Sequence, residues 1–252
     1  MIHAFAQRAV FGSIDSTNSE AARRAANRDY GPIWLRASHQ SAGRGRRGRS
    51  WLSAPGNLFL TYLGTTSRPP AQIALLGFAA GLALTEVFAE RLEAGRVRLK
   101  WPNDLLLDGK KAAGILLESG VANGGGHWFA LGIGVNLAAV PQGLDQEGAA
   151  LGEVISGALG PEAVMEALIP RLCHWAGRLN EEGFAPLRMA WLARAHGLGG
   201  PIAVDLGQER VQGIFEDLSP QGALCLRQGV DAQLLTVSAG DVFFPGLSDA
   251  EA

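Results

Sequence analysis

The sequence predicts an α+β protein: a main region of interleaved strands and helices, then a small β-barrel. Three observations carry this. Strand-like and helix-like patterns alternate up to about residue 195. One apolar helical stretch, residues 73–87, has the composition of a core element. After Gly197-Leu198-Gly199-Gly200-Pro201 the pattern changes to five short alternating runs with turns between them, which reads as a small closed sheet. The 252 residues are 47% hydrophobic and 18% charged, enough for one main core with a small second domain. The expected division is 1–197 and 198–252.

The elements follow in order. Thr17 and Glu20 have capping-box spacing and Gly31-Pro32 is a stop signal, so a helix of about three turns starts near Thr17. Residues 32–37 and 57–62 read as strands. Residues 72–92 read as a buried helix. Its apolar run is bounded by Gln72 and by Glu86, Glu90 and Arg91, too short for the roughly 20 residues of a membrane span. Strands are expected at 97–101, 111–118 and 128–135. Residues 161–183 have helical spacing, with Pro161 at the first position and Pro170 as a kink, and 187–195 continue as helix. The barrel runs are 202–206, 210–215, 223–226, 234–237 and 241–244.

The densest chemistry lies in Gly43-Arg44-Gly45-Arg46-Arg47-Gly48-Arg49-Ser50-Trp51. Four arginines and three glycines precede a tryptophan, with nothing apolar to bury before it. Glycine lets backbone N–H groups approach an anion, arginine offers a charged planar fork, and Trp51 offers a flat face. The stretch reads as a phosphate-binding loop, with a nucleic-acid patch or a solvated loop as rivals. The net charge of −2 argues against nucleic acid.

Lys100-Trp101-Pro102-Asn103-Asp104 sets an amine, an amide and a carboxylate where a strand ends. Lys110 and Lys111 follow an Asp-Gly turn and fit either a solvated hairpin or cations for a carboxylate or triphosphate. Gly132-Ile133-Gly134-Val135-Asn136 fails as a dinucleotide fingerprint, because Leu137 stands at its third glycine position. Its glycines are expected to admit a ligand or another backbone. The five histidines show no metal-ligand spacing, and Walker, zincin and G-x-S-x-G motifs are absent. Two cysteines cannot build a disulfide framework and fit a reducing cytoplasm. No secretory signal is visible.

Together these pieces resemble the biotin protein ligases. The resemblance rests on Asp15-Ser16-Thr17-Asn18, Gln40 to Trp51, Lys100 to Asp104, Lys111-Ala112-Ala113-Gly114-Ile115-Leu116 and Gly132 to Leu137. It covers about residues 10–245, in the family's order and at similar spacing. It implies a mixed β-sheet with helices, like that of class II aminoacyl-tRNA synthetases, followed by an SH3-like barrel. It implies two steps. Biotin's carboxylate attacks the α-phosphate of ATP, with Mg²⁺ as the metal, giving biotinyl-5′-adenylate and pyrophosphate. A lysine of a biotin carboxyl carrier protein then attacks the anhydride and AMP leaves.

The implied roles are these. Ser16, Thr17, Asn18, Gln40, Gly43, Arg44, Gly45, Arg46 and Lys111 bind biotin. Lys111 and Arg46 act on the reacting groups. Arg47, Arg49, Trp51, Asn103 and Asn136, with Lys111, serve the nucleotide, Trp51 by stacking on adenine. Asp104 holds a metal or positions a lysine. Some members carry an N-terminal winged-helix domain that represses biotin genes. The first motif here begins at Asp15, so neither that domain nor DNA binding is expected. The tail at 240–245 lacks an arginine that the family pattern leads one to expect. Lipoate–protein ligase is the nearest rival and a DNA-binding regulator the rival of another class. No membrane partner is implied, and a homodimer is left open.

Overall fold

The first sheet is built from strands that are apolar on at least one face. The structure is a computed structural model and describes residues 2–141, 147–155, 160–229 and 233–244. Its strands are β1 (Gln7–Phe11), β2 (Ile33–Ala37), β3 (Leu58–Thr66), β4 (Val97–Lys100), β5 (Asp104–Leu107), β6 (Lys110–Val121) and β7 (His127–Val135). They form one mixed sheet in the order β1-β2-β3-β7-β6-β5-β4. Only β1 and β2 pair in parallel. The edge strand β1 was not foreseen, and its largely exposed face explains why no alternation announced it. Its short length and its exposed Arg8 suit an edge. Among the described residues five further strands, β8 (Pro201–Asp205), β9 (Arg210–Leu218), β10 (Leu224–Gln228), β11 (Gln233–Val237) and β12 (Asp241–Phe243), are antiparallel in the order β11-β10-β9-β8-β12. All five expected runs are therefore strands of the second sheet.

Helix α1 (Thr17–Ala26) begins at Thr17, as expected. Ser16 is the N-cap, and its hydroxyl accepts from Ser19 N at 3.4 Å. The helix ends at Asn27, before Gly31-Pro32, because Arg28 turns left-handed at φ 63°. The expected helix at 72–92 divides into α2 (Pro70–Ile73) and α3 (Leu76–Ala89). By composition the stretch could cross a membrane, but most of it is buried inside the protein. Glu86, the acid in this run, accepts from Trp175 Nε1 at 3.0 Å. Gly81 has no side chain where Leu99 Cδ2 would meet a Cβ at 3.1 Å, so α3 lies close on the sheet. Helix α4 (Pro161–Glu182) continues through Pro170 and packs on α3, and α5 (Ala185–Leu192) follows.

One hydrophobic core spans both sheets. Trp191 of α5 meets Phe78 and the barrel's Phe215 edge-on, at 5.6 and 6.5 Å. Trp101 Nε1 donates to Gly222 O at 3.0 Å. The segment before the glycine-rich break is tied down as well, with His196 N donating to Leu99 O at 2.8 Å. The barrel is thus packed against the end of β4, beside the Lys100–Asp104 motif.

Candidate active site

The central strands make a bare floor. Gly114 lies opposite Gly134, and Leu116 opposite Gly132, between β6 and β7. The two strands show why these positions are glycine. A Cβ at Gly132 would collide with Asn18 Oδ1. One at Gly134 would stand 2.6 Å from Trp51 Cε2, and one at Gly114 2.9 Å from Trp51 Cζ3. These glycines seat side chains of this same chain, and all three also line the cavity described below.

One end of the floor is neutral and buried. Thr17, at the start of α1, donates its N–H to Gln40 Oε1 at 2.8 Å, and its hydroxyl lies 3.1 Å from the same oxygen. Thr61 Oγ1 lies 2.8 Å from Thr17 Oγ1 and 2.7 Å from Asn18 Oδ1. Ser16, Thr17, Asn18, Gln40 and Thr61 are all buried. Such a cluster survives burial because its groups satisfy one another.

The other end is charged. The turn Asp108-Gly109 has φ of 50° and 82°, the primed geometry of a two-residue hairpin. The hairpin reading of Lys110 is therefore right, and its amine pairs with Glu147 at 2.9 Å in solvent. Lys111 is different. A bulge between β5 and β6 shifts the register at Ala112. Strict alternation would put Lys111 on the core face with Ala113 and Ile115. The bulge turns it into the pocket. There Lys111 Nζ forms an ion pair with Asp104 Oδ1 at 2.8 Å and lies 5.5 Å from the Trp51 ring centre. The Asp104 oxygen has no well-directed hydrogen bond, so the contact is chiefly ionic.

The arginine loop crosses over this end. Arg44 and Ser50 form a bridge, and Trp51 N donates to Gly43 O at 2.9 Å. Arg44 reaches Glu118 at 2.8 Å. Arg46 donates to Asn103 Oδ1 at 3.0 Å. Burial pulls the Arg46 guanidinium below its ordinary range, and pulls the Lys100 amine down likewise. Arg47, left-handed at φ 53°, and Arg49 both pair with Asp241 of the barrel, at 3.2 and 2.6 Å. Burial pushes the Asp241 carboxyl up, but the Arg49 and Arg47 partners outweigh it and hold it low.

These groups line a cavity of about 700 Å³. The structure brings together Ser16, Thr17, Asn18, Gln40, Arg44, Gly45, Arg46, Arg49, Trp51, Asn103, Asp104, Lys111 and Asn136. Gly43 and Arg47 are outside its lining: Gly43 packs against the Trp51 carbonyl, and Arg47 is turned to the barrel. The Trp51 Nε1 donor is buried beside the cavity with no protein partner. Among the described residues no three His, Cys, Asp or Glu side chains gather to hold a metal ion.

Several site residues carried no sequence signal of their own. Thr61 and Glu118 sit in apolar strands, where only their polarity marked them. Asn57 is buried, and its Oδ1 accepts from the N–H groups of Leu137, Ala138 and Ala139, at 3.0, 3.0 and 3.3 Å. Asn57 thereby fixes the chain just beyond Asn136. The barrel contributes Asp241, Val242 and Phe243 to the cavity, although its tail lacks the expected arginine. Pro245 of that tail lies outside the described residues.

The fold thus places a pocket under an arginine loop, with a barrel against the loop. Comparison with known proteins makes this specific. Residues 10–136 match the biotin/lipoate A/B protein ligase family, and residues 197–244 match the biotin protein ligase C terminal domain. A biotin--[acetyl-CoA-carboxylase] ligase of Paracoccus denitrificans is 42% identical over 238 residues, covering 92% of this chain and 98% of the relative. The bifunctional ligase/repressor BirA of Escherichia coli is 33% identical, over 87% of this chain and 69% of the relative. A biotin protein ligase from Aquifex aeolicus in complex with biotin and ATP has the same fold, with TM-score 0.76, 22% identity, and coverage of 94% and 97% of the two chains. The chain belongs to the biotin/lipoate A/B protein ligase family and, within it, to the biotin protein ligases.

Proposed function

We propose that the chain is an ATP-dependent biotin–protein ligase and that the pocket's two ends divide its work. One observation carries the reading: a neutral hydroxyl–amide floor and a cluster of cations share one cavity. A neutral ureido ring suits the Ser16, Thr17, Asn18 and Gln40 end, where hydrogen bonds rather than charges hold the ligand. A carboxylate attacking a polyphosphate brings negative charges together, so cations belong at the other end. Lys111 and Arg46 are the nearest candidates, with Asn103 orienting Arg46 and Asp104 positioning Lys111. Arg44, with Gly43 and Gly45 shaping the backbone, joins the biotin side. Arg47, Arg49 and Asn136 serve the nucleotide.

Trp51 is seated on Gly114 and Gly134, two residues along β7 from Gly132. It therefore stands between the two ends and offers its face to both ligands. The residues do not fit a protein-held Mg²⁺, because Asp104 already holds Lys111 and Asp241 holds two arginines. The ion arrives with the ATP phosphates, the usual habit of Mg²⁺ in nucleotide sites. The loop excludes water from the anhydride. The acceptor is a lysine on a biotin-dependent carboxylase carrier, in the cytoplasm, without DNA or a membrane. The division at 197/198 separates the catalytic part from a barrel that braces the loop.

Pyrophosphate release with ATP, Mg²⁺ and either biotin or lipoate tests the reading. Release with biotin alone is the expected result. Release with lipoate and not biotin would move the chain to the other branch of the family.

A further inference from the structure

Glu118 belongs to none of the motifs, yet it touches both parts of the site. Strand alternation puts it on the face of β6 that carries Gly114 and Leu116. Its Oε2 accepts from Asn18 Nδ2 at 2.9 Å, and its Oε1 pairs with Arg44 Nη2 at 2.8 Å. A carboxylate can only accept. Asn18 must therefore turn its NH₂ to Glu118 and its oxygen the other way, toward Thr61 Oγ1 at 2.7 Å. That amide oxygen takes the one Thr61 proton. The Thr61–Thr17 contact at 2.8 Å must then be donated by Thr17. Thr61 is fully buried, which leaves no solvent to supply an alternative proton. Gln40 Oε1 keeps the Thr17 N–H as its donor, at 2.8 Å.

The chain of hydrogen bonds has one direction, and Glu118 sets it. It leaves lone pairs on Thr17 Oγ1 and Gln40 Oε1 as acceptors for a ligand. We infer that Glu118 is a positioning residue that, through Asn18 and Thr61, makes the floor selective for a neutral ring bearing N–H donors. The inference rests on the biotin reading above. Because Glu118 also holds Arg44, the same carboxylate joins that selectivity to the loop.

Steady-state adenylate formation tests this in Glu118→Gln, Thr61→Val and Thr61→Ser, with each protein's Tm measured alongside. Gln offers an amide where only an acceptor fits, and Val removes the hydroxyl without changing the side chain's shape. KM for biotin should rise about tenfold in Glu118→Gln and Thr61→Val, the size of one net hydrogen bond. KM for ATP should stay near wild type. Thr61→Ser, which keeps the proton, should restore most of the biotin affinity. If Glu118→Gln does not fold, the Val/Ser pair still decides, since it leaves the Glu118–Arg44 contact in place. Variants with wild-type KM for biotin would overturn the inference, as would equal rises for biotin and ATP, which mark general loosening. A wild-type protein that activates no biotin would overturn the biotin reading itself.

Discussion

Replacing Lys111 with alanine should separate a catalytic cation from a structural one. Lys111 Nζ stands 2.8 Å from Asp104 Oδ1, and the two side chains are 21% and 11% exposed. Two losses follow from the substitution. The reacting groups lose a fixed positive charge, which costs about 100- to 1000-fold in rate, or about 2.7–4 kcal/mol. Asp104 loses its counterion. Stranding a fully buried partner costs about 3–5 kcal/mol. Asp104 retains some contact with water, so about 1–3 kcal/mol is the better figure. For a protein of this size that lowers Tm by several degrees, at about 2–4 °C per kcal/mol. The double variant Lys111→Ala, Asp104→Asn removes both charges. It should recover most of the Tm and none of the adenylate rate. Mass-spectrometric quantification of biotinyl-adenylate in single turnover, beside calorimetric Tm values, reads both quantities. A double variant that regains the rate would show that Lys111 serves only as the counterion of Asp104. A single variant near the wild-type rate would refute the assignment outright.

Three further outcomes are expected. Trp51→Ala should raise KM for both biotin and ATP, because the indole sits on the floor between the two ends; stacking of this kind is worth about 1–3 kcal/mol, and calorimetry showing unchanged affinity for both ligands would remove the role. Arg46→Gly should still form adenylate but release it, since the tie from the loop to Asn103 is lost; labelling of non-carrier lysines no greater than wild type, with adenylate still made, would contradict this. The Arg23 hydrogen bonds hold the Asp15 carboxyl at about 2. Depressed in the folded state, it adds stability above its unfolded value of about 3.9, lost as pH falls toward 2. The pair is half exposed, so the effect is small. Asp15→Asn should flatten the acid limb of the stability curve between about pH 4 and 2, and an unchanged limb would dismiss the linkage.

Much of the fold was legible because its signals are local. The apolar run of α3, the Asp-Gly hairpin turn and the short barrel strands depend on nearby residues. The missed strand β1 has no such signal, since its partner β2 lies beyond α1 and its exposed side chains do not alternate clearly. Ser16 rather than Thr17 is the cap of α1, because the Thr17 hydroxyl faces Gln40 and Thr61. The charged loop and the Lys111 motif announced themselves by composition. The partners of those charges did not. Asp241 comes from the barrel, Glu118 from mid-strand, and the bulge that aims Lys111 shows only in the register of β5 against β6. Gly132 and Gly134 could be marked as special from sequence. What they make room for, Asn18 and Trp51, is set by tertiary packing.

In the proposed function, one cavity activates biotin and passes it to a carrier lysine. Intact-mass analysis of a biotin-carrier domain, incubated with this protein, ATP, Mg²⁺ and an equal mixture of biotin and lipoate, tests it most directly. The expected product carries one biotinyl group per carrier, placed on the carrier's acceptor lysine and lost when that lysine is changed to arginine. An unmodified carrier, or one bearing a lipoyl group, would contradict it.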